Sequence, residues 1–172
     1  MKKTRGKSIT TEELKKRISG LRLIATDFDG VWTDGKVIFA QDGKESVVCS
    51  RKDTLRIKEI KKLGIPIYVI SKEGNPVVTK RCEKMEVTCW QGIDDKLTLL
   101  KKLIEQEGVK SDEVMYVGDD INDLPCLQFV GLPMTVADGH PDCRGVAAYV
   151  TSRNGGDHAM REIFDLILNS FS

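Results

Sequence analysis

Two groups of aspartates in this sequence directly follow short apolar runs. They are Asp27 and Asp29 after residues 21–26, and Asp119, Asp120 and Asp123 after residues 114–117. Carboxylates this close repel each other, so that one pKa is driven up unless a cation lies between them. Hard oxygen ligands without histidine or cysteine suit Mg²⁺, which also takes oxygens from a phosphate. The alternative is that these aspartates cap helices and loops, but two clusters at equivalent strand ends favour the metal site.

Such a cluster can also carry covalent chemistry on a phosphate ester. A carboxylate can act as a nucleophile and form an aspartyl phosphate, and a second carboxylate two residues on can serve as acid and then as base. Uncatalysed hydrolysis of phosphate monoesters is extremely slow, so charge neutralisation by a metal and a lysine is expected. Lys96, at the start of a predicted helix, is the best-placed lysine. An ordinary solvated lysine is the alternative interpretation.

The elements that must position these residues are short apolar strands that alternate with helical patterns. Strands are predicted at residues 21–26, 66–70, 89–90, 114–117, 133–136 and 149–150, and helices at 54–63, 76–85, 95–106, 123–129, 141–147 and 158–171. Alternation of this kind predicts an α/β fold with a doubly wound parallel sheet. Ligands bind such sheets at the carboxyl ends of the strands. That position selects the two aspartate groups and also Ser71.

Two segments fall outside this alternation. Asp42 and Gly43 separate two β-rich runs, residues 36–40 and 45–49, which predicts a β-hairpin. Near the N-terminus, Thr10 and a glutamate three residues later resemble a capping box, so a short helix is predicted to run to about residue 18. We interpret residues 1–20 as a basic tail and short helix appended to a single domain of residues 21–172.

Composition excludes several classes of function. The 172 residues carry 27 basic and 26 acidic side chains, a formal net charge of +1 that gives no bias toward nucleic acid or anionic membrane. No apolar run approaches the ~18 residues of a membrane span. Five cysteines without a two-residue spacing indicate reduced thiols, and the two histidines lie far apart. A cytoplasmic protein that binds neither nucleic acid nor membrane is therefore expected.

Four segments, in order, resemble the motifs of haloacid dehalogenase superfamily phosphatases. Residues 27–35 (Asp-Phe-Asp-Gly-Val-Trp-Thr-Asp-Gly) resemble the first motif, Ser71 the hydroxyl motif, Lys96 the lysine motif, and residues 118–123 (Gly-Asp-Asp-Ile-Asn-Asp) the acidic motif. The resemblance extends from about residue 21 to the C-terminus. It implies a Rossmann-like core and phosphoryl transfer rather than dehalogenation, since the dehalogenases of the superfamily lack the second aspartate.

The resemblance also implies a role for each matched residue. Asp27 would be the nucleophile, Asp29 the acid and base, and Ser71 and Lys96 the phosphate contacts. Mg²⁺ would be held by Asp27, the backbone carbonyl of Asp29, and Asp119. Asp123 would orient this shell from behind, with Asp120 and Asn122 of the same motif in supporting positions.

The spacing of the motifs leaves no room for a separate cap domain. Asp27 and Ser71 are 44 residues apart, and Ser71 and Lys96 only 25. Relatives without a cap form tetramers in which a neighbour covers the site, so we expect a homotetramer. The predicted hairpin, with apolar Val37, Phe39 and Val47, is assigned to that interface, because an exposed strand pair invites pairing. A hairpin folded onto its own domain is the alternative.

Within this group the chain is similar to phosphatases of acidic keto-sugars, the 3-deoxy-octulosonate 8-phosphate and nonulosonate 9-phosphate phosphatases. The octulosonate enzymes usually carry Thr-Gly-Arg where this chain has Ser71-Lys72-Glu73, and a glutamate there is similar to the nonulosonate enzymes. Substrate contacts are accordingly predicted at the following residues: Glu73, Arg81, Lys84, Gly30 and Arg51. The loop of Gly155 and Gly156 with Arg161 resembles a C-terminal loop that reaches the adjacent subunit's site.

A second resemblance leaves an alternative function open. The segment that begins at Ser71-Lys72-Glu73 also resembles the phosphatase-like module of cytidylyltransferases that activate sialic acids. The alternative to a phosphatase is therefore a weakly active or inactive tetramerisation module. Lys72 favours this alternative, because a bulkier residue beside the phosphate position would hinder turnover.

Overall fold

The computed structural model describes residues 9–171, which form eight strands and seven α-helices. The strands are β1 (Leu23–Thr26), β2 (Ile38–Phe39), β3 (Glu45–Ser46), β4 (Ile67–Ile70), β5 (Thr88–Trp90), β6 (Val114–Val117), β7 (Leu132–Thr135) and β8 (Tyr149–Val150). The helices are α1 (Thr11–Ser19), α2 (Ile57–Lys62), α3 (Pro76–Met85), α4 (Lys96–Glu107), α5 (Leu124–Phe129), α6 (Pro141–Val146) and α7 (Ala159–Ser170).

Six of the strands form one parallel sheet in the order β5-β4-β1-β6-β7-β8. Ala25 of β1 lies between Tyr68 of β4 and Tyr116 of β6, so β1 is hydrogen-bonded on both sides. After β1, the strands β4 and β5 are added on one side of it, and β6, β7 and β8 are then added on the other side. This reversal confirms the predicted doubly wound sheet and places its topological switch point between β1 and β6.

Helices cover both faces of the sheet because the side chains of each central strand alternate between them. Ile24 points into a core formed with α1, α2, α3 and α7. Leu23 and Ala25 point into a second core formed with α4, α5 and α6. Burial on both faces explains why these strands are continuous apolar runs rather than alternating ones.

The predicted hairpin forms, although it is short. Ile38 pairs with Ser46 and Phe39 with Glu45 in antiparallel register. Gly43 in the turn has a φ of 81°, a conformation that glycine adopts at little cost. Along the described chain, only this hairpin, one 3-10 turn (Lys52–Thr54), α2, β4, α3 and β5 separate Asp27 from Lys96. The prediction that no cap domain is present is confirmed.

Helix α1 belongs to the main core. Thr10 caps it by accepting a hydrogen bond from the backbone N–H of Glu13, but the Glu13 carboxylate pairs with Arg17 instead of completing a capping box. Leu14 and Ile18 are buried in the core that α7 also lines. The interpretation of this helix as an appendage was therefore wrong, because its apolar face is needed to cover the sheet. The basic residues 1–7 lie outside the described part of the chain.

Candidate active site

Asp27 lies at the carboxyl end of β1, at the switch point of the sheet. Its backbone N–H donates to the carbonyl of Val117, which holds the residue against β6. One carboxylate oxygen, Oδ1, accepts a hydrogen bond of 2.6 Å from the N–H of Phe28, and Oδ2 lies 2.7 Å from Nζ of Lys96. The carboxylate is thus buried and fixed in orientation before any ligand arrives.

Lys96 is a buried cation and not a solvated surface lysine. It is the first residue of α4, whose N-terminus is capped by the Asp95 side chain. Its ammonium lies between Asp27 and Asp123, at 2.7 and 2.8 Å. The residue is only 2% exposed. Because an unpaired charge would not be tolerated there, the two carboxylates account for its position.

Asp123 connects the lysine to the loop that carries Asp119. Oδ1 of Asp123 accepts from Lys96 and, at 2.7 Å, from the hydroxyl of Tyr116. Oδ2 accepts from the backbone N–H groups of Asp119 and Asp120 at 3.0 and 3.4 Å. Both oxygens therefore accept two hydrogen bonds within the protein. This arrangement fits an orienting role for Asp123 better than direct contact with a ligand.

Tyr116 contacts the carboxylate cluster, a position that the sequence analysis missed. It is fully buried in β6, and its hydroxyl reaches Asp123. A tyrosine in an otherwise apolar buried strand is a signal that could have found it, because a buried hydroxyl requires a partner.

Asp119 completes a cluster of three carboxylates. Oxygens of Asp27, Asp119 and Asp123 all lie within 4.8 Å of one another. Gly30 lies directly against Asp119, since a Cβ at position 30 would come 1.9 Å from Oδ2 of Asp119. Gly30 also has a φ of 78°. Only glycine allows the Asp27–Gly30 loop to approach the acidic loop this closely.

The cluster carries more negative charge than its own cation balances. Burial, reinforced by repulsion from Asp123 and Asp120, raises the pKa of Asp119 to about 7. Burial and the charge of Asp123 also raise the pKa of Asp27, against the opposing effect of Lys96. Three carboxylates share one ammonium. The surplus of two negative charges and the all-oxygen donor set fit a divalent cation of the Mg²⁺ type.

Asp29 is half-buried near this cluster. Its Oδ1 accepts a hydrogen bond of 3.1 Å from the hydroxyl of Thr33. The Thr33 oxygen in turn accepts from the N–H groups of Gly30 and Gly35. Burial, with smaller contributions from Glu73 and Glu45, raises the pKa of Asp29. A carboxyl group with a raised pKa is suited to carry a proton. Thr33, which orients it, was not among the predicted site residues.

An open cleft of about 330 Å³ leads to these groups. It is lined by Asp27, Asp29, Ser71, Lys72, Glu73 and Asn122. Ser71 lies at the end of β4, where its buried hydroxyl accepts from the N–H of Glu73 at 3.1 Å. The structure therefore brings the predicted nucleophile, acid and hydroxyl residue to one cavity, with Lys96 bonded to the nucleophile beneath it.

The predicted substrate residues do not all lie at this cleft. Glu73 lines it, and one of its oxygens accepts from the N–H groups of Gly74 and Asn75. Three cations do not line it: Arg51, Arg81 and Lys84. Arg81 donates to the carbonyl of Ser50, while Lys84 and Arg51 are exposed. The assignment of these three residues to substrate remains a prediction.

Two further predicted elements have local roles in the structure. Asp120 caps the 3-10 turn that follows it by accepting from the N–H of Ile121. Gly155 and Gly156 pack on residues 27–35 of their own chain. Gly156 donates to the carbonyl of Val31, and a Cβ on Gly155 would come 1.7 Å from the Gly30 carbonyl oxygen. This contact restrains the loop that carries Asp29.

Comparison with known proteins places the chain among phosphatases. The family model described as haloacid dehalogenase-like hydrolase matches residues 91–160. The 3-deoxy-D-manno-octulosonate 8-phosphate phosphatase KdsC of Escherichia coli is 34% identical over 153 residues, which is 88% of this chain and 81% of that protein.

Solved structures agree with this placement. A HAD family hydrolase from Streptomyces avermitilis is 42% identical, with a TM-score of 0.85 and coverage of 88% of this chain and 87% of that one. The 3-deoxy-D-manno-octulosonate 8-phosphate phosphatase of Moraxella catarrhalis is 31% identical, with a TM-score of 0.90 and coverage of 94% and 93%. The latter structure is a complex with a magnesium ion, a phosphate ion and a KDO molecule.

Proposed function

Because the chain belongs to the haloacid dehalogenase-like hydrolases and is a phosphatase, we propose that it hydrolyses the phosphate monoester of an acidic keto-sugar through a phosphorylated Asp27. The observation that carries this proposal is the Asp27 carboxylate itself. It lies at the floor of the cleft, held by Lys96 on one oxygen and by a backbone N–H on the other.

In the first step, a carboxylate oxygen of Asp27 attacks phosphorus, and the bond between phosphorus and the sugar oxygen breaks. Asp29 donates its proton to that leaving oxygen, which its raised pKa favours. Lys96 holds the attacking carboxylate in place, and one of its three N–H donors is left for a phosphate oxygen after the bonds to Asp27 and Asp123. Positioning and charge neutralisation of this kind supply most of the catalysis in phosphoryl transfer.

In the second step, water attacks phosphorus, and the bond between phosphorus and the Asp27 oxygen breaks. The ionised Asp29 takes the proton from that water, so inorganic phosphate leaves and both aspartates return to their starting states. The Thr33 hydroxyl keeps the Asp29 carboxylate oriented through both transfers.

Asp27 and Asp119 are the residues that would hold Mg²⁺, with the backbone carbonyl of Asp29 as a third ligand. When bound, the ion would neutralise charge on the phosphoryl oxygens. Asp123 would remain in its present hydrogen bonds and keep Lys96 and the Asp119 loop in position. The charge surplus of the cluster supports this assignment.

The proposed substrate is a 3-deoxy-octulosonate 8-phosphate or a nonulosonate 9-phosphate. The relatives from Escherichia coli and Moraxella catarrhalis named above are phosphatases of the first of these sugar phosphates. A glutamate at the position of Glu73 is similar to the nonulosonate enzymes. Glu73 lines the cleft, where its second carboxylate oxygen could accept hydrogen bonds from sugar hydroxyls.

We further propose that the chain forms a homotetramer through its hairpin. Ile38 and Phe39 are 60% and 71% exposed, and Val37 and Val48 are also exposed. An apolar strand pair of this kind is suited to association with another copy. Sedimentation analysis should then give a tetramer for the wild type and smaller species for Phe39→Glu.

The function is tested by phosphate release from a panel of sugar phosphates, in Mg²⁺ and in chelator. We expect chelator-sensitive release that is strongest on the keto-acid sugars, and its loss in Asp27→Asn. Asp112→Asn, at an exposed aspartate before β6, is the matched control and should retain wild-type release. Equal turnover by Asp27→Asn and the wild type would refute the assignment of the nucleophile.

A further inference from the structure

The cleft is lined by groups that repel the substrate proposed for it. Asp27, Asp29 and Glu73 contribute carboxylates, and Lys72 is the one cationic side chain in its lining among the described residues. A sugar-acid phosphate brings a carboxylate in addition to its phosphate. The ammonium of Lys96 is already bonded to two carboxylates below the surface. The second anionic group of the substrate therefore needs another cation.

Lys72 has the position and the free donors for this task. Its side chain is 63% exposed at the rim of the cleft, whereas Asp27 is buried at the floor. Its ammonium lies 3.6 Å from Oδ1 of Asp94, an ion pair longer than a hydrogen bond, and Asp94 is itself 90% exposed. Exposed pairs of this type contribute little and are readily exchanged for a better partner.

The position at the rim also distinguishes the two anionic groups of the substrate. Phosphorus must reach Asp27 at the floor, so the sugar extends outward toward the rim of the cleft, which includes the end of β4. Lys72 directly follows Ser71 at that end. The part of the substrate that meets the Lys72 ammonium is then the sugar acid and not the transferred phosphoryl group.

We infer that Lys72 binds the carboxylate of the sugar acid and thereby determines the preference of the enzyme for acidic over neutral sugar phosphates. Asp94 holds the ammonium at the rim while the cleft is free of substrate. The inference rests on the proposed function, and it gives the lysine in Ser71-Lys72-Glu73 a role in recognition rather than obstruction.

The test is a specificity ratio: kcat/KM for 3-deoxy-octulosonate 8-phosphate or a nonulosonate 9-phosphate, divided by kcat/KM for a hexose 6-phosphate. Lys72→Met keeps an unbranched side chain one atom shorter and removes its charge. In this variant we expect the ratio to fall about tenfold or more, through a higher KM for the acidic substrate. Lys72→Arg should retain most of the preference. Lys80→Met removes an exposed lysine of α3 that does not line the cleft and is the matched control.

Each other outcome overturns the inference in a distinguishable way. An equal loss on both substrates would place Lys72 on the phosphate, and an unchanged ratio would show that it does not contact the acid. A rise in activity on both substrates would make it an obstruction. Wild-type protein without any preference for the acidic substrate would overturn the proposed substrate class itself, and this inference with it.

Discussion

Replacing Asp119 by asparagine tests the electrostatics of the site through folding stability, independently of catalysis. In the protein without metal, the pKa of Asp119 is raised from 3.8 to about 7. Between these values the folded state holds a proton that the unfolded chain has released. Stability must therefore fall as pH rises through this window. Asparagine has nearly the same shape but does not titrate, so the variant does not lose this stability as pH rises.

The size of the effect follows from the rise in pKa. A rise from 3.8 to about 7 corresponds to about 4 kcal/mol at about 1.36 kcal/mol for each pKa unit. Asp119 is partly exposed, and solvent screening lowers the expected effect to about 2–4 kcal/mol. In chelator at pH 8, Asp119→Asn should accordingly be more stable than the wild type by this amount, with the difference vanishing toward pH 4.

Magnesium should reduce the difference in stability between the two proteins, because it should stabilise the wild type more than the variant. A cation present at 100 times its dissociation constant stabilises the folded state by about 2.7 kcal/mol, and the variant lacks one of the two proposed carboxylate ligands. The assay is urea denaturation at several pH values, with chelator and with Mg²⁺. The electrostatic reasoning would be refuted if, in chelator, the difference in the free energy of unfolding between wild type and variant did not change with pH. Equal stabilisation of both proteins by Mg²⁺ would refute the metal assignment.

Three further substitutions test individual contacts. Tyr116→Phe removes one hydrogen bond to Asp123, which is worth about 1 kcal/mol. Steady-state kinetics should therefore show a kcat about fivefold lower at unchanged KM. An unchanged kcat would contradict a role of Tyr116 in positioning Asp123. Asp53→Ala removes a carboxylate that accepts a hydrogen bond from the N–H of Arg161 in the first turn of α7. Urea denaturation should show a free energy of unfolding lower by about 1–2 kcal/mol, while kcat is retained. A large fall in kcat would instead place Asp53 in the catalytic machinery. Gly155→Ala would place a Cβ 1.7 Å from the carbonyl oxygen of Gly30 and should lower kcat about tenfold or more. Wild-type kinetics in this variant would show that the contact between Gly155 and Gly30 is unimportant.

Local signals in the sequence account for most of the fold. Helix α3 has its predicted bounds, Pro76–Met85, because Asn75 caps it and proline occupies its first turn. Strand β6 was predicted in full, since four apolar residues end at a glycine. The same reasoning predicted that the two aspartate groups lie together, because carboxylates that follow adjacent parallel strands meet at one edge of the sheet.

What the sequence could not reveal depends on contacts between distant segments. The predicted helix at 54–63 begins instead with a 3-10 turn, in which Asp53 turns inward toward α7. Tyr116 and Thr33 gain their roles only from partners that the fold brings to them. The burial of Leu14 in α1 likewise requires α7, more than 140 residues further along the chain.

The central claim is that Asp27 carries the phosphoryl group during turnover, and trapping that group tests it most directly. The protein is mixed with the acidic sugar phosphate and Mg²⁺, quenched in acid during the first turnover, and reduced with borohydride, which converts an aspartyl phosphate to homoserine. Peptide mass spectrometry should then find homoserine at position 27 with substrate present and aspartate there without it. Homoserine at position 29, or at no position while phosphate is released, would contradict the account.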